Sequence, residues 1–203
     1  MKPTNALQRE LIQTVCERIV AATEELTDLD RAIGDGDHGI NMKRGFEEVL
    51  SKLDELASKP LPGALADAGT TLVMKVGGAS GPLYGTLLMT LGKTLPESPS
   101  PGDLTTALVA AVEAVQRRGK SEAGQKTMLD VWVPVCALLT SGENDPDKVR
   151  RRAAEAAEST VPMLAIRGRA SFLGERSIGH MDPGARSSQL IIEAACDILE
   201  GWS

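Results

Sequence analysis

The chain has 203 residues, of which 42% are hydrophobic and only 2% aromatic, and a formal net charge of −6. That length suits one domain over residues 1–203, and the shortage of aromatic and β-branched runs argues against a sheet. With no basic run longer than Arg150-Arg151-Arg152, nucleic-acid binding lacks its electrostatic footprint. No apolar run reaches the ~18 residues of a membrane span.

Apolar spacing predicts eight helical segments. The first covers residues 4–26, from Thr4, with Leu7, Leu11, Val15, Ile19 and Val20 on one stripe. The second begins near Asn41 and carries Met42, Phe46, Val49 and Leu53. The third opens near Pro62, a good first-turn residue, and the fourth around Pro82 with Leu83, Leu87, Leu88 and Leu91. Residues 96–102 hold three prolines and a glycine and form a loop, after which Asp103 is expected to cap the fifth helix. The sixth covers residues 127–139 with Pro134 inside it. The seventh covers residues 147–167, with Pro162 as a kink. Asp182-Pro183 is an N-cap followed by proline and opens the eighth, whose stripe is Leu190, Ile191, Ala194, Ile198 and Leu199. Cys16, Cys136 and Cys196 are odd in number and lie on apolar patterns, so they are expected to be buried thiols in a reducing, cytoplasmic setting.

Short connections between helices of similar length favour antiparallel neighbours, hence a bundle or closed ring. Up-and-down order then places the loops after the odd helices at one end. Those loops, residues 29–40, 77–81, 119–126 and 168–181, are rich in glycine and polar groups and hold both histidines, His38 and His180. The even loops are ordinary Pro, Ser and Asp connectors. A single binding site at the odd end explains the difference, since bare glycine backbone lets a ligand approach.

Asp30, Asp35 and Asp37 would repel one another unless a cation lay between them. Mg²⁺ commonly takes one or two carboxylates with phosphate oxygens and water, so three carboxylates serve two ions, or one at high negative charge. Gly77-Gly78-Ala79-Ser80-Gly81 precedes a helix and offers N–H groups to a phosphate, with a hydroxyl from Ser80. Met128 suits either a purine or the core. Arg169 and Arg176 suit either phosphates or carboxylates. Gly34-Asp35-Gly36-Asp37-His38-Gly39 formally matches a dinucleotide fingerprint, but a helical pattern precedes it where a strand is required. No P-loop, EF-hand or nucleophile elbow is present.

These residues resemble a known family, the nucleotide-binding L subunit of bacterial dihydroxyacetone kinase in the form coupled to the phosphotransferase system. The likeness rests on Leu29-Asp30-Arg31 with the 34–39 stretch, on residues 77–83, on Lys126-Thr127-Met128 with Asp130-Val131-Trp132, and on Gly168-Arg169-Ala170-Ser171 with residues 173–180 and Asp182-Pro183-Gly184. The resemblance implies an all-α, eight-helix antiparallel up-and-down barrel with the nucleotide at one end. It implies that Asp30, Asp35 and Asp37 hold two Mg²⁺ on ADP. It also implies that His38, Gly39, Ile40, Asn41, Gly78, Ala79, Ser80, Gly119, Met128, Arg169, Asp182, Pro183 and Gly184 line the nucleotide. Beyond that site no catalytic residue is implied on this chain.

In the implied mechanism bound ADP is recharged to ATP by a phosphohistidine partner subunit. The γ-phosphoryl then passes to dihydroxyacetone on a separate substrate subunit. Two-domain, ATP-using kinases of the wider family often carry Cys where this chain has His38, which favours the phosphotransferase-coupled form here. The alternatives are an L-type subunit of an ATP-dependent kinase for dihydroxyacetone or another small ketose, and a nucleotide-dependent module engaging a transcriptional regulator; a homodimer is compatible with each.

Overall fold

The computed structural model describes residues 5–200, so the predicted start at Thr4 lies outside the described residues. Among those residues every regular element is helical. In chain order they are α1 (Asn5–Ala21), α2 (Thr23–Ile33), α3 (His38–Ser51), α4 (Leu53–Ser58), α5 (Leu61–Lys75), α6 (Ser80–Thr94), α7 (Pro101–Gly119), α8 (Leu129–Thr140), α9 (Pro146–Glu158), a 3-10 helix (Arg169–Ser177) and α10 (Pro183–Glu200). α1 and α2 form one bent column, because Ala22 still donates to Arg18 (3.1 Å) and accepts from Leu26 (2.9 Å) across the break. α3 and α4 form another, bent at Lys52. That leaves eight columns, each packed on the next, and α10 closes the ring on α1. The all-α antiparallel barrel is therefore the observed architecture.

Aliphatic stripes fill the inside. Ile19, Leu26, Met42, Leu56, Leu72, Val115, Val131 and Val135 are all at most 1% exposed, as the periodicity requires. The three cysteines are buried and free. No helix of the described residues is long and apolar enough to cross a membrane.

Three boundaries differ from expectation. The first column continues to Ile33, so Asp30 lies on a helix and the loop shrinks to residues 34–37. Ser100, not Asp103, is the N-cap of α7; Asp103 is its reciprocal partner in a capping box, donating its main-chain N–H to the Ser100 hydroxyl (3.2 Å) and accepting from the Ser100 N–H (2.8 Å). α9 stops at Glu158, not residue 167, and Pro162 lies beyond its end without kinking it. Pro134 does lie inside α8.

Candidate functional site

Asp30 faces inward from the last turn of α2. Its Oδ2 accepts the main-chain N–H of Asp37 (2.8 Å) and of His38 (3.1 Å), so this carboxylate caps the positive end of α3. Two glycines permit the approach. A Cβ at Gly34 would lie 2.2 Å from Asp30 Oδ1, and one at Gly39 would lie 2.1 Å from the Thr23 carbonyl on α2. Gly39 therefore sets the α2–α3 crossing. Asp35 and Asp37 then complete a triad in which one ligand oxygen from each aspartate lies within 4.8 Å of the others. Arg169 stands 2.5 Å from Asp35 and supplies one opposing charge, which leaves a negative excess. Hard, clustered, partly prefixed oxygens are a donor set that fits Mg²⁺.

Beside the triad lies a cavity of about 180 Å³. Gly77, Gly78 and Ala79 form one wall, with Gly78 in the left-handed region (φ 64°), and Ser80 begins α6 there. Below it runs a polar floor. The buried His38 ring lies 3.1 Å from the Ser80 hydroxyl through Nδ1 and 3.0 Å from the Ser187 hydroxyl through Nε2. Burial holds its pKa down to about 4 against the pull of Asp30, so the ring is neutral and donates to one serine while accepting from the other. The Tyr84 hydroxyl donates to the Gly184 carbonyl (3.0 Å) and lies 2.7 Å from Ser187 and 2.8 Å from Ser188.

The opposite wall comes from the later loops. Met128 is buried and lines both this cavity and an adjoining hollow of about 360 Å³, which Gly119, Leu83 and Pro82 also face. Arg167 and Arg169 project from the segment before α10, and the Arg167 Nε donates to Gln125 (3.1 Å). Asp182 caps α10 by accepting from Ala185 N–H (2.7 Å). Its burial raises its pKa to about 7; the backbone bond from Ala185 and nearby Lys126 oppose the rise, and Asp130 adds to it.

The structure thus brings Asp30, Asp35, Asp37, His38, Gly78, Ala79, Ser80, Met128, Arg169, Asp182, Pro183 and Gly184 to one cavity. Gly119 borders the adjoining hollow. Gly39, Ile40 and Asn41 do not line either: Gly39 is a packing contact, Ile40 is 58% exposed, and Asn41 accepts from Arg44 (3.0 Å). Arg176 is exposed away from the cavity, whereas Arg167, not singled out by sequence, lines it. Ser187 and Tyr84 were also missed, and Lys126 was read only as part of a motif, with no role given to it. Two adjacent serines within the apolar stripe of the last helix were the available signal for Ser187.

The family model for the DAK2 domain matches residues 32–197. The chain is 47% identical over 179 residues to "PEP-dependent dihydroxyacetone kinase 1, ADP-binding subunit DhaL" of Listeria innocua, with 88% of each chain covered. It is 46% identical over 180 residues to the corresponding ADP-binding subunit DhaL of Escherichia coli, covering 84% of this chain and 86% of that one. Among solved structures, the dihydroxyacetone kinase of C. freundii superposes with a TM-score of 0.80 at 24% identity. That match covers 97% of this chain but 35% of the other, so the chain spans about a third of that kinase, and the likeness is one of fold.

Proposed function

The chain belongs to the DAK2 domain family, among the ADP-binding subunits of dihydroxyacetone kinase, and we propose that residues 1–203 form one nucleotide-binding domain that carries a phosphoryl group on ADP. The observation that carries the reading is the aspartate triad beside a glycine wall at a helix N-terminus, in a chain nearly half identical to subunits named for ADP. In this reading Asp30, Asp35 and Asp37 hold two Mg²⁺. Bound Mg²⁺ neutralises charge on the transferring phosphoryl group.

The chain's own residues do the holding. The N–H groups of residues 78–80 and the positive end of α6 receive phosphate oxygens. Arg169 can exchange its Asp35 contact for a phosphate, and Met128 with the adjoining hollow takes the base. His38 is buried and bonded at both nitrogens, so neither nitrogen is free to take a phosphoryl group and the ring shapes the floor. The acceptor, dihydroxyacetone, is held by a separate subunit and leaves as its phosphate. A phosphohistidine subunit of the phosphotransferase system recharges ADP.

A carrier must retain its nucleotide, whereas an enzyme using free ATP must release ADP each turnover. The protein is therefore expected to purify with ADP and to exchange it slowly, which labelled ADP chased with unlabelled nucleotide measures. Rapid exchange, with full turnover on free ATP after adding only a substrate subunit, would make it the ATP-dependent type instead.

A further inference from the structure

Lys126 is the single buried lysine among the described residues, 1% exposed, and its backbone is left-handed (φ 60°). No carboxylate among those residues lies at ion-pair distance from it, although Asp182 is near enough to feel its charge. Its Nζ instead lies within hydrogen-bonding distance of five main-chain carbonyl oxygens: His180 (2.6 Å), Ser177 (2.7 Å), Thr160 (2.9 Å), Met163 (3.1 Å) and Val161 (3.4 Å). An ammonium has three N–H groups, so it donates to three oxygens at a time and attracts the rest by charge alone. A ring of carbonyl oxygens around one positive charge is how proteins replace the hydration shell of a monovalent cation.

The five carbonyls come from two arms of one loop. Residues 160–165 and 177–182 run side by side, joined by Gly179 N–H to the Val161 carbonyl (2.8 Å), Ala165 N–H to the Ser177 hydroxyl (2.9 Å) and Asp182 N–H to the Thr160 hydroxyl (3.0 Å). Lys126 takes carbonyls from both arms and so closes the neck. The head of the loop, residues 166–176, carries Arg167 and Arg169 to the cavity. Beyond the contacts of Arg167 with Gln125 and Arg169 with Asp35, the loop's buried apolar contacts are a small cluster of Ile33, Ala165 and Ala170 with Leu173.

We propose that this neck is a monovalent-cation site whose occupant is the chain's own Lys126 ammonium, and that Lys126 thereby positions Arg167 and Arg169 over the site. The cage stands on its own geometry; the positioning role rests on the nucleotide reading given above.

The test compares the full chain with Lys126→Met, which keeps the stem but not the charge, and Lys126→Ala, which vacates the cage. Hydrogen exchange at Ala165 and Gly179, measured without nucleotide, reports the cage; the ADP release rate in Mg²⁺ reports positioning. Loss of charged hydrogen bonds predicts about tenfold or greater acceleration of both in each variant, with α5 and α6 amides unchanged. Propylammonium is expected to restore protection and slow release in Lys126→Ala, and propanol is not. Unchanged exchange in Lys126→Met, or equal rescue by propanol, overturns the cation site. If the variants do not fold, recovery of helical signal in Lys126→Ala with propylammonium but not propanol supports it, and failure with both overturns it. A protein that binds no ADP at all refutes the nucleotide reading while the exchange measurement still decides the cage.

Discussion

Asp30 Oδ2 accepts the N–H groups of Asp37 and His38, and Gly34 is the neighbour that leaves Oδ1 room. Asp35 and Asp37 are less constrained and more exposed. Replacing either by Asn keeps the shape and removes a charged ligand. Asp35→Asn and Asp37→Asn are each expected to weaken ADP binding in Mg²⁺ by about tenfold or more, read by isothermal titration. Undiminished affinity in both would end the metal assignment. Asp182 offers a different test. Its carboxyl holds a proton up to about pH 7 in the folded chain, against an ordinary value of 3.8. Between those values the folded state binds the extra proton, so stability from this group is lost as pH rises and is constant above. Asn also caps helices, so Asp182→Asn removes the slope while keeping the cap. Urea titrations of nucleotide-free protein should show the variant gaining on the parent across that window; a constant difference would contradict the raised value. The triad, the glycine wall and Asp182 were legible because short-range chemistry announced them. Arg167, Ser187 and the role of Lys126 were not, because their partners lie far away in sequence. No local pattern reveals that the Ser177 and His180 carbonyls converge on Lys126.

At the level of elements, periodicity located all eight columns, and the errors fell at their ends. Residues 159–167 extend the apolar pattern of α9, yet Pro162 cannot donate, and the carbonyls of Thr160, Val161 and Met163 turn toward Lys126 and the neighbouring arm of the loop. The capping box at α7 was readable as Ser-x-x-Asp, a signature that Asp103 alone obscured. Ser100→Ala is expected to cost about 1 kcal/mol in thermal or urea unfolding. ADP affinity should be untouched, since α7 begins at the end away from the site. A short polar insertion between Glu97 and Ser98, both exposed, should likewise spare affinity. Loss of ADP binding from that insertion would break the assignment of the two ends.

The whole molecule is a ring with a polar end and a plain end, an asymmetry that alternating loops imposed before any side chain was placed. α1 starts at the plain end and α10 finishes there: Arg150, in the first turns of α9, pairs with Glu200 (2.9 Å), and Gln8 donates to the Leu56 (2.8 Å) and Lys59 (3.1 Å) carbonyls by the α4–α5 turn. Both described ends therefore emerge on the side remote from the aspartates. A passenger domain fused through a flexible linker to either end should change ADP affinity by less than about twofold, measured by titration of the two fusions. A large loss from one fusion would mean that its attachment point reaches the site. The same exit geometry lets one barrel be spoken either as a separate word or as a clause in a longer sentence. The C. freundii kinase chain, of which this chain matches 35%, has room for such a clause. Splitting or joining at the plain end leaves the cavity beside the aspartates unedited.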